Sequence, residues 1–203
     1  MKLENSTLGL VGAGGIVRAR DFARAGISSM KIQKAQQSGV LIKLGRGLYV
    51  SSERKSTAQD YLAEIAIKCP RSVFCLLTAL QIHGVTTQSP HEVWLAIDNK
   101  AREPSIDYPP LRIARFSGAA LMEGVVQKSI DGVVQIPVTS IAKTIADCFK
   151  YRNKIGLDVA LEALREVWRE KKVTMDELWE AAEICRMTNV MRPYLESLTW
   201  RSK

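Results

Sequence analysis

Residues able to do chemistry are few in this sequence, and their spacing limits what they could do. Asp98-Asn99-Lys100 has the D-x-K spacing with which nucleases pair a metal-binding carboxylate and a lysine, and it follows a strand-like run. Such a tripeptide is common by chance, so it makes only a weak nuclease candidate. Gly12-Ala13-Gly14-Gly15 lacks the Lys-Ser/Thr of a phosphate-binding loop and follows no clear strand. The four cysteines, Cys69, Cys75, Cys148 and Cys185, share no C-x-x-C spacing, and His83 and His91 supply no close ligand pair. They read as buried reduced thiols of a cytosolic protein, not as a zinc site. His83 precedes Gly84 at a helix end, where a histidine is usually structural. With no G-x-S-x-G motif and no paired carboxylates, the expectation is no catalytic residue, no metal and no cofactor.

Charge is more informative. The chain has 203 residues, 46% hydrophobic and 25% charged, with a formal net charge of +8. Residues 1–57 carry ten Lys/Arg against three Asp/Glu, a balance of +7, while the other 146 residues carry 19 against 18. Nearly all the excess positive charge lies in one segment of domain size, which points to a polyanion as partner.

The elements expected in that segment would present the charge. Val17 to Ala25 places Val17, Phe22 and Ala25 on one side of a short helix that Gly26 closes. Ile27 resumes the apolar register, and Ser28 or Ser29 caps a second helix running to about Ser38, ended by Gly39. Ile32 and Ala35 are its apolar members; Met30, Lys31, Gln33, Lys34 and Gln37 point elsewhere. Lys and Gln suit phosphates and base edges, and Met30 suits a thymine methyl. Val40–Leu44 and Leu48–Val50, joined through Gly45-Arg46-Gly47, read as a tight hairpin. A hairpin directly after a helix-turn-helix is the wing of a winged helix, and Arg46 at its tip suits a minor groove. The candidate DNA contacts are Arg18, Ser28, Ser29, Met30, Lys31, Gln33, Lys34, Gln37, Lys43 and Arg46.

The expected fold class is α+β. A winged helix-turn-helix over residues 1–52 and a polar linker over Ser51–Thr57 precede a larger α/β-type domain over residues 58–203. Helices are expected over Ala58–Lys68, from Ser72 or Val73 to His83, and over Ser140–Tyr151. Two more are marked by the Leu157–Trp168 stripe and by the Thr174–Glu177 capping box. About four strands are expected, over Val93–Ile97, Leu111–Phe116, Val125–Ser129 and Val133–Val138, the last two joined by an Asp131-Gly132 turn. The Asp98–Pro110 segment, with three prolines, reads as a loop. No run reaches the roughly 18–20 apolar residues of a membrane span. The mildly apolar Leu8–Val17 stretch makes a poor export signal, so the expected location is cytoplasmic, with no membrane partner.

Several segments together resemble the AbiEi family of bacterial antitoxins of type IV toxin–antitoxin, or abortive-infection, systems. They are Gly26-Ile27-Ser28, Gly39-Val40-Leu41, Gly45–Tyr49, Thr78–Gly84, Glu92–Leu95 and Val138–Asp147, and the resemblance spans about residues 8–165. It implies a winged-helix autorepressor binding inverted repeats in double-stranded DNA upstream of its own operon. It also implies an antitoxin domain that counteracts a nucleotidyltransferase-like toxin, generally without a tight complex. DNA contact would fall to the Ser28–Gln37 helix and the Arg46 wing, with the Thr78–Gly84 and Thr139–Asp147 segments structural. Ala35 and Ser38 stand where family members often have a leucine and a basic residue, and Thr188–Lys203 lies outside the resemblance. Two rival readings remain: a winged-helix regulator whose larger domain senses a ligand or dimerises, and a metal-dependent nuclease using Asp98 and Lys100.

Overall fold

In a computed structural model of the chain, the described residues are 15–53, 58–86 and 91–200. Gly12–Gly14 of the glycine-rich stretch and positions 54–57 of the linker lie outside them. The chain forms two compact units, Met1–Pro70 with Lys128–Ile136, and Arg71–Gln127 with Pro137–Lys203.

The first unit opens with β1 (Val17–Arg18), α1 (Ala19–Arg24), α2 (Ser29–Gln37), β2 (Leu41–Gly45) and β3 (Leu48–Ser51). The strands form an antiparallel sheet in the order β1-β3-β2. Val17 and Arg18, expected at the start of the helix, instead pair with Tyr49 and Leu48. The helix begins after them, and the Asp21 carboxylate accepts from the Arg18 backbone N–H at 3.3 Å. Ala25, expected to face inward, is exposed; Gly26 turns the chain at φ 74° and Ile27 takes the inward place. Val17, Phe22, Ile27, Ile32 and Leu41 make the core, with Ala35 and Tyr49 against it. Phe22 meets Tyr49 edge-on at 5.8 Å. Truncating Phe22 would cost about 3–5 kcal/mol, a large share of what so small a core supplies.

α3 (Ala58–Lys68) and the Lys128–Ile136 segment complete this unit. At Gly45 an added Cβ would lie 2.6 Å from Ile67 Cγ2, so a side chain at the end of β2 would have to push Ile67 of α3 aside. Gly47 at the hairpin turn has φ 72°, a conformation that costs glycine nothing. Ser51, placed in the linker by its polarity, is buried and still paired with Leu41.

The second unit follows with β4 (Val73–Phe74), α4 (Leu76–Ile82), β5 (Val93–Asp98), β6 (Leu111–Phe116) and α5 (Ala119–Met122). β7 (Val125–Ile130), β8 (Val134–Thr139), α6 (Ile141–Lys150), α7 (Arg152–Ile155), α8 (Leu157–Arg169), α9 (Met175–Ile184) and α10 (Thr188–Trp200) complete the chain. The sheet has five strands in the order β6-β5-β4-β8-β7, not about four. The additional strand is β4, which the apolar periodicity had merged into the following helix. Its Val73 and Phe74 run antiparallel to β5, and Phe74 pairs with Val138 of parallel β8. The buried Leu76, at φ 48°, turns the chain from strand into helix. Asp131 and Gly132 both have positive φ, 50° and 68°, as the tightest hairpin turns require. α6 is buried along Ala142–Phe149, and Ser140 caps it by accepting from the Lys143 N–H at 3.2 Å. The capping box forms, with Glu177 N donating to Thr174 Oγ1 at 3.2 Å and Thr174 N to Glu177 Oε2 at 2.7 Å.

Candidate nucleic-acid interface

α2 turns its apolar residues inward and its cations and amides out. Ile32 is buried and Ala35 is partly covered, while Ser28, Ser29, Met30, Lys31, Gln33, Lys34 and Gln37 are exposed. At about 100° per residue, Met30, Gln33, Lys34 and Gln37 fall on one stripe opposite Ile32. Ser28 occupies the cap position with an extended backbone, but its side chain makes no capping bond. Its carbonyl instead accepts from Lys31 N at 3.0 Å and Ile32 N at 3.2 Å. The exposed hydroxyls of Ser28 and Ser29 therefore stand unused for capping at the positive end of the helix dipole, a setting suited to phosphate oxygens.

The hairpin adds two exposed cations, Lys43 on β2 and Arg46 in the turn. Ala19 N donates to Gly47 O at 2.8 Å, which ties the turn to the start of α1. Arg18 differs from the other candidates. Its side chain is half-buried, and Nη2 donates to the Val133 carbonyl, so this guanidinium is already engaged inside the unit. Two cations that the sequence reading passed over, Arg20 and Arg24 on α1, are 62% and 77% exposed. Asp21 is their near neighbour, at 3.9 and 3.7 Å, too loose at that exposure to neutralise either. Their i, i+4 spacing on the first helix was the available signal.

The second unit holds a charged cluster of another kind. Lys143 Nζ lies 2.7 Å from both Asp147 oxygens, with both side chains buried. Cys185 Sγ donates to Asp147 Oδ1 at 3.2 Å, and the ammonium stands 4.7 Å over the Phe116 ring. Burial raises the Asp147 carboxyl above its ordinary value, against the opposing pull of the Lys143 ammonium. Burial also pushes the Cys185 thiol up to about 12, and drives Cys75 and Cys148 well above their ordinary value. Gly124, at φ 64°, backs the lysine stem; an added Cβ would lie 3.0 Å from Lys143 Cβ. With its charges paired and its thiols protonated, this cluster is built to hold helices together. His83 acts similarly, with Nε2 2.7 Å from the Thr139 carbonyl oxygen. All four cysteines are buried, and none is in a disulfide.

The D-x-K tripeptide is taken up by its own loop. Asp98 Oδ1 accepts from Lys100 N at 2.9 Å, and Arg115 donates to the Asn99 and Ala101 carbonyls at 2.9 Å each. Arg115 also pairs with Glu103 at 3.0 Å. Among the described residues, no group of three or more His, Cys, Asp or Glu is placed to hold a metal ion. No helix among them is long and apolar enough to cross a membrane.

A short helix, a glycine turn, a second helix with an outward basic face and a β-hairpin define a module of the helix-turn-helix type. Residues 12–52 match the model of a family described as "Transcriptional regulator, AbiEi antitoxin", so the resemblance to the AbiEi family holds over this module. The chain is also similar in fold to a crystal structure of the RV2827C protein from Mycobacterium tuberculosis. That likeness has a TM-score of 0.53 at 12% identity and covers 90% of this chain and 72% of that one. No curated protein matches the sequence.

Proposed function

We propose that this protein is a DNA-binding transcriptional autorepressor and the antitoxin of a type IV toxin–antitoxin system. In this reading residues 1–52 form a winged helix-turn-helix that binds inverted repeats in its own operator. Residues 58–203 form the antitoxin domain, which counteracts a nucleotidyltransferase-like toxin without a tight complex. The protein is cytoplasmic and has no catalytic role. The observation that carries the reading is the outward Lys/Gln face of α2, followed by the Arg46 hairpin, inside the segment that matches the family. α2 enters the major groove, Arg46 follows the backbone into the adjacent minor groove, and Arg20, Arg24, Lys31, Lys34 and Lys43 contact phosphates.

Two measurements test it. The full chain should repress a reporter driven by the DNA upstream of its own gene, and Arg46→Ala should relieve that repression. Co-expression should restore growth to cells producing a nucleotidyltransferase encoded beside it. Repression without rescue would favour the regulator whose larger domain senses a ligand or dimerises. Magnesium-dependent DNA cutting lost on Asp98→Ala would favour the nuclease.

A further inference from the structure

The outer stripe of α2 contains a residue that its charge does not explain. Met30 is 66% exposed, the most exposed large hydrophobic side chain described in the first unit. It is surrounded on the helix by polar and cationic residues, at i+1 by Lys31, at i+3 by Gln33, at i+4 by Lys34 and at i+7 by Gln37. A solvated helix face needs no large apolar side chain at its outermost point, and Met30 takes no part in the core that Ile32 and Phe22 build. It stands second in the helix, in the turn that reaches base edges when a helix of this type enters a groove. In the major groove the bases present a single apolar group, the 5-methyl of thymine. An unbranched, polarizable thioether can lie against a methyl without demanding one rotamer.

We propose that Met30 determines sequence specificity by packing against a thymine 5-methyl in the major groove. Gln33 pairs with an adenine edge one or two base pairs away. Side chains at i and i+3 are about 5–6 Å apart, and successive base pairs rise about 3.4 Å, which sets that interval. The proposal rests on the DNA-binding reading above, and it adds which chemical group on the DNA is recognised.

The test begins with a duplex selected by the full-length protein from a random-sequence library, in which each thymine is then replaced singly by deoxyuridine. This replacement removes one methyl and leaves every hydrogen bond intact. One thymine per half-site should show about a four-fold loss of affinity, the equivalent of about 0.8 kcal/mol for one buried methyl-sized group. Met30→Ala should bind the thymine duplex about as weakly as wild type binds the uracil duplex, and should not distinguish the two. Lys31→Ala should bind more weakly yet keep the four-fold discrimination. Because Met30 is exposed, circular dichroism should show Met30→Ala folded. Binding without any methyl-sensitive thymine, or discrimination that survives Met30→Ala, would overturn the proposal and leave DNA binding standing. Failure of the full chain to select any duplex would overturn both.

Discussion

Lys31 and Lys34 of α2 and Lys143 of α6 are the same residue type in opposite settings. On α2, Lys31 and Lys34 point into solvent and are free to meet phosphates. On α6, Lys143 is buried against Asp147, with Phe116 beside it and Gly124 behind its stem. The same ammonium group is held open to solvent in one helix and is a fixed part of the interior in the other. Burial and partner decide the role, and residue type alone does not. An exposed lysine contributes little to folding and much to a polyanion contact; a buried one is closed to outside partners and costly to leave unpaired.

The largest effect expected from this contrast is on folding. Lys143→Met leaves the Asp147 carboxylate buried without its cation, and should lower stability by about 3–5 kcal/mol in urea unfolding. Adding Asp147→Leu should recover most of the loss, since removing both charges spares the cost of an unpaired one. A double variant no more stable than the single would show that the pair is not the source of the effect. Arg46→Ala should weaken specific DNA binding by about 1–3 kcal/mol and leave the unfolding curve unchanged, a separation read from anisotropy titration beside urea melts. Lys31→Ala and Lys34→Ala should each reduce the slope of log K against log salt by about 0.9, with stability moved by less than about 0.5 kcal/mol. A stability loss comparable to that of Lys143→Met would erase the distinction between the helices.

The smallest effect concerns reactivity. Raised pKa values keep Cys75, Cys148 and Cys185 protonated well above neutral pH, and the thiolate is the reactive form. The native protein should therefore resist iodoacetamide at pH 8, and all four thiols should alkylate once it is unfolded in urea, as counted by mass spectrometry. Rapid native labelling of any of these three would show that the interior around Asp147 opens readily.

Much of this organisation was legible in the sequence because it is local. The bounds of α2, the glycines of the hairpin, the Asp131-Gly132 turn and the Thr174 capping box each depend on residues within a few positions of one another. What escaped depends on distant partners. Val73 and Phe74 look like the start of a helix until β5 and β8 claim them from either side. Val17 and Arg18 leave α1 because β3 pairs with them. Arg18 looked like a free cation, and the carbonyl that occupies it lies 115 residues further along. In the Thr139–Asp147 segment, the i, i+4 spacing of lysine and aspartate is visible, but that spacing is equally common on solvated faces. Only the packing around α6 reveals that the pair is interior.

Gly124 gives that interior pair an unusual genetic signature. An alanine there adds one uncharged methyl group and strains a backbone held at φ 64°, and its Cβ would crowd the stem of Lys143 at 3.0 and 3.1 Å. The stem would have to give by a few tenths of an ångström, and the ammonium it carries is held by a carboxylate buried with it. A substitution between two small neutral residues would thus be felt at an ion pair. Its suppressor would be found in the pair itself, where Lys143→Met with Asp147→Leu removes both charges together, and not among the apolar neighbours where a packing defect is normally repaired.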